Sequence, residues 1–264
     1  MDAVDYSFYR MLSVEENKQA MARYLMVCAA ELKRKIPDFD VKAQSIKSII
    51  LLSIEHQVES CKFLVGLTYL HGLFGLEKSY GKAYKYLSQY LESGANDDKD
   101  EVLLMLARLK YEGLGTEQSF SEVVQLLSRI QDKENPYMNV LLAEMHFHGL
   151  GVEQDYKKAF SLVSQYASSK IKGSFYMLGL MFAYGYGVTK DKAKGIEIIL
   201  GQAKEDCFLS QFFLGRIYED GAFGVEKDLD SALQWYGKAE KQGYAAASLK
   251  IEHIHKLKNS TKDL

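Results

Sequence analysis

A glycine that returns about every 36 residues constrains this chain more than any other feature. Gly221 closes the stretch Leu214-Gly215-Arg216-Ile217-Tyr218-Glu219-Asp220-Gly221, and the same place is held earlier by Gly185, Gly149, Gly113 and Gly72. The steps between them are 36, 36, 36 and 41 residues. A period of that length marks one supersecondary unit that cannot bury its apolar face alone and must stack on its neighbours. The 264 residues therefore read as one long array rather than two independent domains.

Five units follow one grammar, over about 58–95, 98–134, 137–173, 174–207 and 208–243. Each opens with a helix carrying a large residue followed by a small one: Val65-Gly66, Leu106-Ala107, Leu142-Ala143, Leu178-Gly179 and Leu214-Gly215. The small residue lets a partner helix approach closely. Glycine pairs come next, Gly72/Gly75, Gly113/Gly115, Gly149/Gly151, Gly185/Gly187 and Gly221/Gly224, where a tight helix–helix turn needs positive φ. Four residues after each second glycine stand Ser79, Ser119, Asp155, Asp191 and Asp228, all good N-caps. Four residues further on, Ala83, Val123, Ala159, Gly195 and Ala232 form the matching small site on the second helix. Loop, cap and small residue agree across five units, which is the consistency that specifies an architecture.

The ends differ. Over 1–57 the chain is helical in character without the glycine loop. A capping-box pattern, Ser13-Val14-Glu15-Glu16, predicts a helix that ends before Pro37, and Asp40 is the predicted cap of a second helix carrying Ile46, Ile49, Ile50 and Ile54. The two read as a degenerate repeat that caps the repeats at 58–244, and 245–264 as a C-terminal capping helix and tail. The fold class predicted is all-α, a right-handed α-solenoid of antiparallel helix pairs.

A net charge of −2 gives no strong pull toward nucleic acid or an acidic membrane. The acidic start, Met1-Asp2-Ala3-Val4-Asp5, lacks an apolar stretch of signal-peptide type. The apolar run Tyr176–Tyr184 falls far short of the roughly 20 residues that span a bilayer. Cys28, Cys61 and Cys207 follow neither the repeat period nor a metal-ligand spacing, so they read as reduced, mostly buried thiols in a cytoplasmic protein.

Candidate chemistry is thin. His146 and His148, like His253 and His255, are two apart, about 200° around a helix, so neither pair closes on one metal by itself. Ser79-x-x-Lys82 has the form of a serine-nucleophile motif, but Ser79 occupies the cap position and Lys82 the position of Lys158 and Lys194. Gly75–Lys82 is one residue too long for a phosphate loop, and Ala83 stands where Ser or Thr would bind magnesium. No catalytic, cofactor or metal residue is assigned.

These units resemble the Sel-one-like repeat family, a relative of the tetratricopeptide repeat. The carriers are Leu-Gly-x-x-Tyr-x-x-Gly, complete at 214–221, the Gly-x-Gly-Val loops at 149–152 and 185–188, and the pairs Lys82-Ala83 and Lys158-Ala159. The likeness covers about 58–258, and the second unit departs most, with Lys110 at the tyrosine position and Val123 at the alanine position. Secreted members carry a cysteine pair in each repeat, which does not recur here. The resemblance implies non-enzymatic binding of a partner protein or peptide, as an adaptor, a secretion-system accessory or a toxin-neutralising immunity protein. The alternative it leaves is a hydrolase activity, for which no nucleophile, base and orienter stand outside the repeat grammar. No cofactor, nucleic acid, membrane insertion or metal is implied. In tetratricopeptide arrays the first helices line a concave groove. Carried onto this chain, that groove would hold Leu67, His71, Arg108, Tyr111, Glu112, Glu144, His148, Tyr176, Tyr184, Arg216, Glu219 and Asp220.

Overall fold

A computed structural model describes residues 14–36, 45–94, 98–166 and 174–260. Among the described residues there are thirteen α-helices and no strand, an all-α fold of the solenoid class. The N-terminal pair is α1 (Val14–Lys35) and α2 (Ile46–Glu55). After a single 3-10 turn, Glu59–Cys61, the repeat pairs are α3 (Lys62–His71) with α4 (Tyr80–Glu92), α5 (Lys99–Glu112) with α6 (Phe120–Ser128), and α7 (Pro136–His148) with α8 (Tyr156–Gln165). They continue as α9 (Ser174–Tyr184) with α10 (Lys192–Lys204) and α11 (Phe208–Asp220) with α12 (Leu229–Lys241), and α13 (Ala245–Ser260) follows. Two compact units divide the chain. The N-terminal unit runs through Met138 and takes in Leu150–Val152; the C-terminal unit comprises Asn139–Gly149 and the residues from Glu153 onward.

The predicted grammar is present in every repeat. All ten loop glycines have φ between +67° and +89°. The first of each pair closes the first helix: the Gly72 N–H donates to the Thr68 carbonyl at 2.9 Å and the next N–H, of Leu73, reaches the same carbonyl at 3.1 Å. Both bonds go to a carbonyl near the helix end, where backbone acceptors run out of intrahelical partners. Each predicted cap side chain accepts from the first turn of its helix: Ser79 from the Lys82 N–H, Ser119 from Glu122, Asp155 from Lys158, Asp191 from Lys194 and Asp228 from Ser231. The backbone N–H of each cap also donates back to the first helix, as Asp191 does to the Phe182 carbonyl at 2.8 Å. The loop is thus tied at both ends, and the second helix starts in a fixed register.

The small sites are where the helices touch. A Cβ on Gly215 would stand 2.6 Å from the Tyr236 ring, and one on Gly195 would stand 2.6 Å from the backbone N of Ala183 and the O of Gly179. The second loop glycine makes a further contact that spacing alone does not show. Gly115 lies on Tyr80–Gly81, Gly151 on Phe120 and Gly187 on Tyr156, each the first turn of the preceding repeat's second helix. In repeats one and five the loop is a residue longer, and Phe74 and Phe223 take up positive φ (55° and 59°).

Two expectations change at the N-terminus. Ser13 and Asp40 lie outside the described residues. The second helix begins at Ile46, capped by Ser45, whose hydroxyl accepts from the Ser48 N–H at 3.1 Å, so Asp40 is not its cap. Cys28 and Cys61 are joined by a disulfide with Cα atoms 5.4 Å apart, which corrects the reading of three reduced thiols; Cys207 alone is free. Their spacing of 33 is out of phase with the repeat because one partner lies in the N-terminal helix pair.

Candidate partner-binding surface

The twelve residues expected to line a groove divide by burial. In the N-terminal unit Leu67 is fully buried and faces core, not solvent. Arg108 is buried as well, ion-paired to Glu112 one turn on, with its guanidinium 5.2 Å from the centre of the Tyr111 ring. Tyr111 in turn packs edge-on against Phe120 at 5.6 Å. Arg108, Tyr111 and Glu112 therefore serve one another within the helix pair α5–α6. His71 is half-buried, and its imidazole is held below its ordinary pKa by burial and by the nearby Lys78 charge.

In the C-terminal unit Glu219 is buried and accepts from the Tyr236 hydroxyl at 2.5 Å and from Lys250 Nζ at 3.1 Å. It is a structural hub rather than a surface group. Glu144 and Tyr176 are half-buried; His148, Tyr184, Arg216 and Asp220 are exposed. Tyr176 lies edge-on to Phe213 at 5.8 Å, and burial pushes its hydroxyl pKa up, against the Arg216 charge, which lowers it.

These side chains sit along a continuous aromatic run that the spacing analysis saw only in part. Phe213 meets Phe223 at 6.3 Å, Phe223 meets Tyr184 at 5.1 Å, and Tyr184 stacks on Tyr186 at 5.5 Å. Tyr186 stacks on Tyr156 at 4.8 Å and meets Phe147 edge-on at 5.4 Å, while Phe147 touches His148 at 5.0 Å. The run crosses three repeats, and Tyr184, 42% exposed, brings it to solvent. Tyr186 and Phe223, missed as site residues, sit between the two loop glycines of their repeats; that recurrent interior loop position was the available signal.

The second-unit departures are accommodated locally. Lys110, at the tyrosine position, is nearly buried, pairs with Glu122 at 2.9 Å and lies 5.5 Å from the centre of the Tyr84 ring. Its hydrogen bond to Glu122 raises its pKa despite burial. His146 is turned to the Glu153 carbonyl at 3.2 Å while His148 faces solvent. Among the described residues no three His, Cys, Asp or Glu side chains form a group able to hold a metal, and no helix is long and apolar enough to cross a membrane.

The Sel1 repeat model matches residues 60–94, 136–167, 176–198 and 209–244. It passes over the second unit, the one that carries Lys110 and Val123. A protective antigen of uropathogenic Escherichia coli strains, c5321, which displays an SLR fold, is 26% identical with a TM-score of 0.52. That match covers 80% of this chain and 44% of the antigen, so the chain spans less than half of that relative's length. A Sel1 repeat protein from Oxalobacter formigenes shares the fold at 21% identity and a TM-score of 0.61, with 89% of this chain and 88% of that one covered. No curated protein matches the chain. Four stretches of the chain are thus Sel1 repeats, each with its loop glycines at positive φ.

Proposed function

We propose that the chain holds another protein on the aromatic surface centred on Tyr184, flanked by Arg216, Asp220 and His148. Sel1 repeats commonly mediate protein–protein interaction, and the observation that carries the reading to this surface is the exposed Tyr184 within a largely half-buried aromatic run. Tyrosine and arginine dominate interface hot spots because they give large, partly apolar contact areas with a polar end. Here Tyr184 is braced on two sides by Tyr186 and Phe223, so little side-chain freedom is lost on binding. Adaptor, secretion accessory and immunity protein are all roles in which a partner is held without a change in its covalent structure. Leu67, Arg108 and Glu219 are outside the binding set because the fold already uses them.

The test compares three immobilised proteins: the parent, Tyr184→Ala with Arg216→Glu, and Lys158→Glu with Lys194→Glu on exposed second-helix positions. Proteins retained from the native cell are quantified, and the main one is then purified and titrated by calorimetry. The surface variant is expected to bind it at least about thirtyfold more weakly, corresponding to roughly 2 kcal/mol or more at a hot spot. The lysine variant is expected to bind as the parent does. Equal affinity of parent and surface variant, or an equal loss in the lysine variant, would overturn the assignment.

A further inference from the structure

We propose that the Cys28–Cys61 bond is a redox-operated latch that fastens the N-terminal helix pair onto the first repeat. Cys28 lies within α1 and Cys61 ends the 3-10 turn that leads into α3. Both are buried, at 0% and 1% exposure, so the bond sits inside the seam between cap and repeat.

Beside the bond, Ala29, Leu32, Ile49 and Ile50 of the helix pair are buried. Tyr24 packs edge-on against Phe63 at 5.0 Å, and its hydroxyl lies 3.3 Å from that of Tyr90. Polar contacts also cross the seam. Lys47 Nζ donates to the Gly75 carbonyl at 3.0 Å in an exposed position, and the Ser60 hydroxyl donates to Glu31 in a half-open one. Exposed polar contacts of this kind each contribute little. The far side of the helix pair adds nothing: Met26, Val27, Ile46 and Leu51 are 75%, 44%, 40% and 44% exposed. The disulfide adds a covalent tie across that seam.

The chemistry balances as thiol–disulfide exchange with a small thiol of the glutathione class. One thiolate attacks a sulfur of the bond, giving a mixed disulfide and releasing the other cysteine as a thiolate, which takes a proton. A second small thiolate then attacks the mixed disulfide, the remaining cysteine leaves and is protonated, and the small disulfide carries away the two oxidising equivalents. Because neither sulfur is exposed, attack requires α1 to lift from the repeat, so reduction and undocking are one event. Oxidation in the reverse sense locks α1 down over Phe63 and Tyr90. In a reducing compartment the end of the array is therefore uncovered, and in an oxidising one it is closed.

Hydrogen exchange followed by mass spectrometry tests this on the full chain. One sample is equilibrated with oxidised glutathione, one with dithiothreitol, and a Cys28→Ala, Cys61→Ala double variant is run beside them. Peptides from Tyr24–Lys35 are expected to lose about a hundredfold or more in protection on reduction, the scale of closing a loop of this length. Peptides from Phe208–Asp220 are expected not to change, and the double variant should match the reduced parent. Unchanged protection of Tyr24–Lys35 on reduction would overturn the latch. So would alkylation of both Cys28 and Cys61 after equilibration with oxidised glutathione. If the double variant fails to fold, the oxidised and reduced parent samples decide by themselves.

Discussion

Gly187→Ala loses about 2–5 kcal/mol of stability, whereas Gly224→Ala loses only about 1–2 kcal/mol. Both glycines occupy positive φ, +70° and +89°, so both substitutions carry the left-handed penalty of roughly 1–2 kcal/mol for a residue with a Cβ. They differ in what the new methyl group meets. At Gly187 it would stand 2.0 Å from the carbonyl oxygen of Tyr156 and 2.8 Å from the N of Lys157, and backbone at a helix start cannot rotate away as a side chain does. At Gly224 nothing lies within 4 Å. Overpacking of a tight contact adds typically about 1–3 kcal/mol. The difference measures how much of a loop glycine's role is stacking between repeats and how much is turning the chain. Denaturant midpoints of the two variants and the parent check it; equal midpoints would mean that the Gly187–Tyr156 contact carries no stability.

Tyr236→Ala costs about 3–5 kcal/mol and Tyr236→Phe about 1.5–3 kcal/mol. Among the described residues Tyr236 is the largest fully buried side chain of the C-terminal unit, and its ring lies against Gly215, the small site of α11. Truncation opens a cavity between α11 and α12 and also removes the donor to Glu219. The phenylalanine variant keeps the packing and loses only a hydrogen bond to a charged acceptor. The same pair gives the C-terminal unit an acid limb. Burial pushes the Glu219 carboxyl up, but the hydrogen bonds from Tyr236 and Lys250 outweigh it, and the net shift is downward. A depressed carboxylate contributes stability that is fully present above its unfolded pKa, about 4.3, and is lost as pH falls through the folded value. Glu219→Gln should therefore flatten the decline of stability below pH 5. A Gln variant whose acid limb parallels that of the parent would contradict the assignment.

The repeat grammar was legible because it is local. A loop that needs positive φ selects glycine, a helix start selects Ser or Asp, and a close crossing selects a small residue, so five copies of one pattern locate the helix pairs. Solvent exposure was not legible, because it depends on neighbours. Arg108 and Arg216 share one register, each just after a small site, with an acid four residues on, Glu112 and Asp220. Arg108 is closed over by Glu112 and Tyr111, while Arg216 and Asp220 stay in solvent. Glu219 reads as a surface acid until Lys250, from the helix after the last repeat, is brought against it. The Cys28–Cys61 bond was hidden for a similar reason: it joins the N-terminal helix to the start of a repeat, so no period predicts it. Phe74 and Phe223 at positive φ contradict the preference of bulky residues, and only the longer loops of repeats one and five explain why they are there.

The account rests on repeats that stack in phase, and two deletions test it. Removing Gly149–Tyr184, 36 residues, joins His148 to Gly185 and replaces one loop by its equivalent, so α7 is followed directly by α10 with its Asp191 cap. Removing Gly149–Ser164, 16 residues, joins His148 to Gln165 and leaves α7 with neither loop nor second helix. Circular dichroism at 222 nm, recorded through thermal unfolding, is the measurement. The in-phase deletion is predicted to keep the parent's helicity per residue and a cooperative melt, and the out-of-phase deletion to lose helicity and melt broadly. Equal helicity and equal cooperativity in the two would contradict the stacked-repeat account.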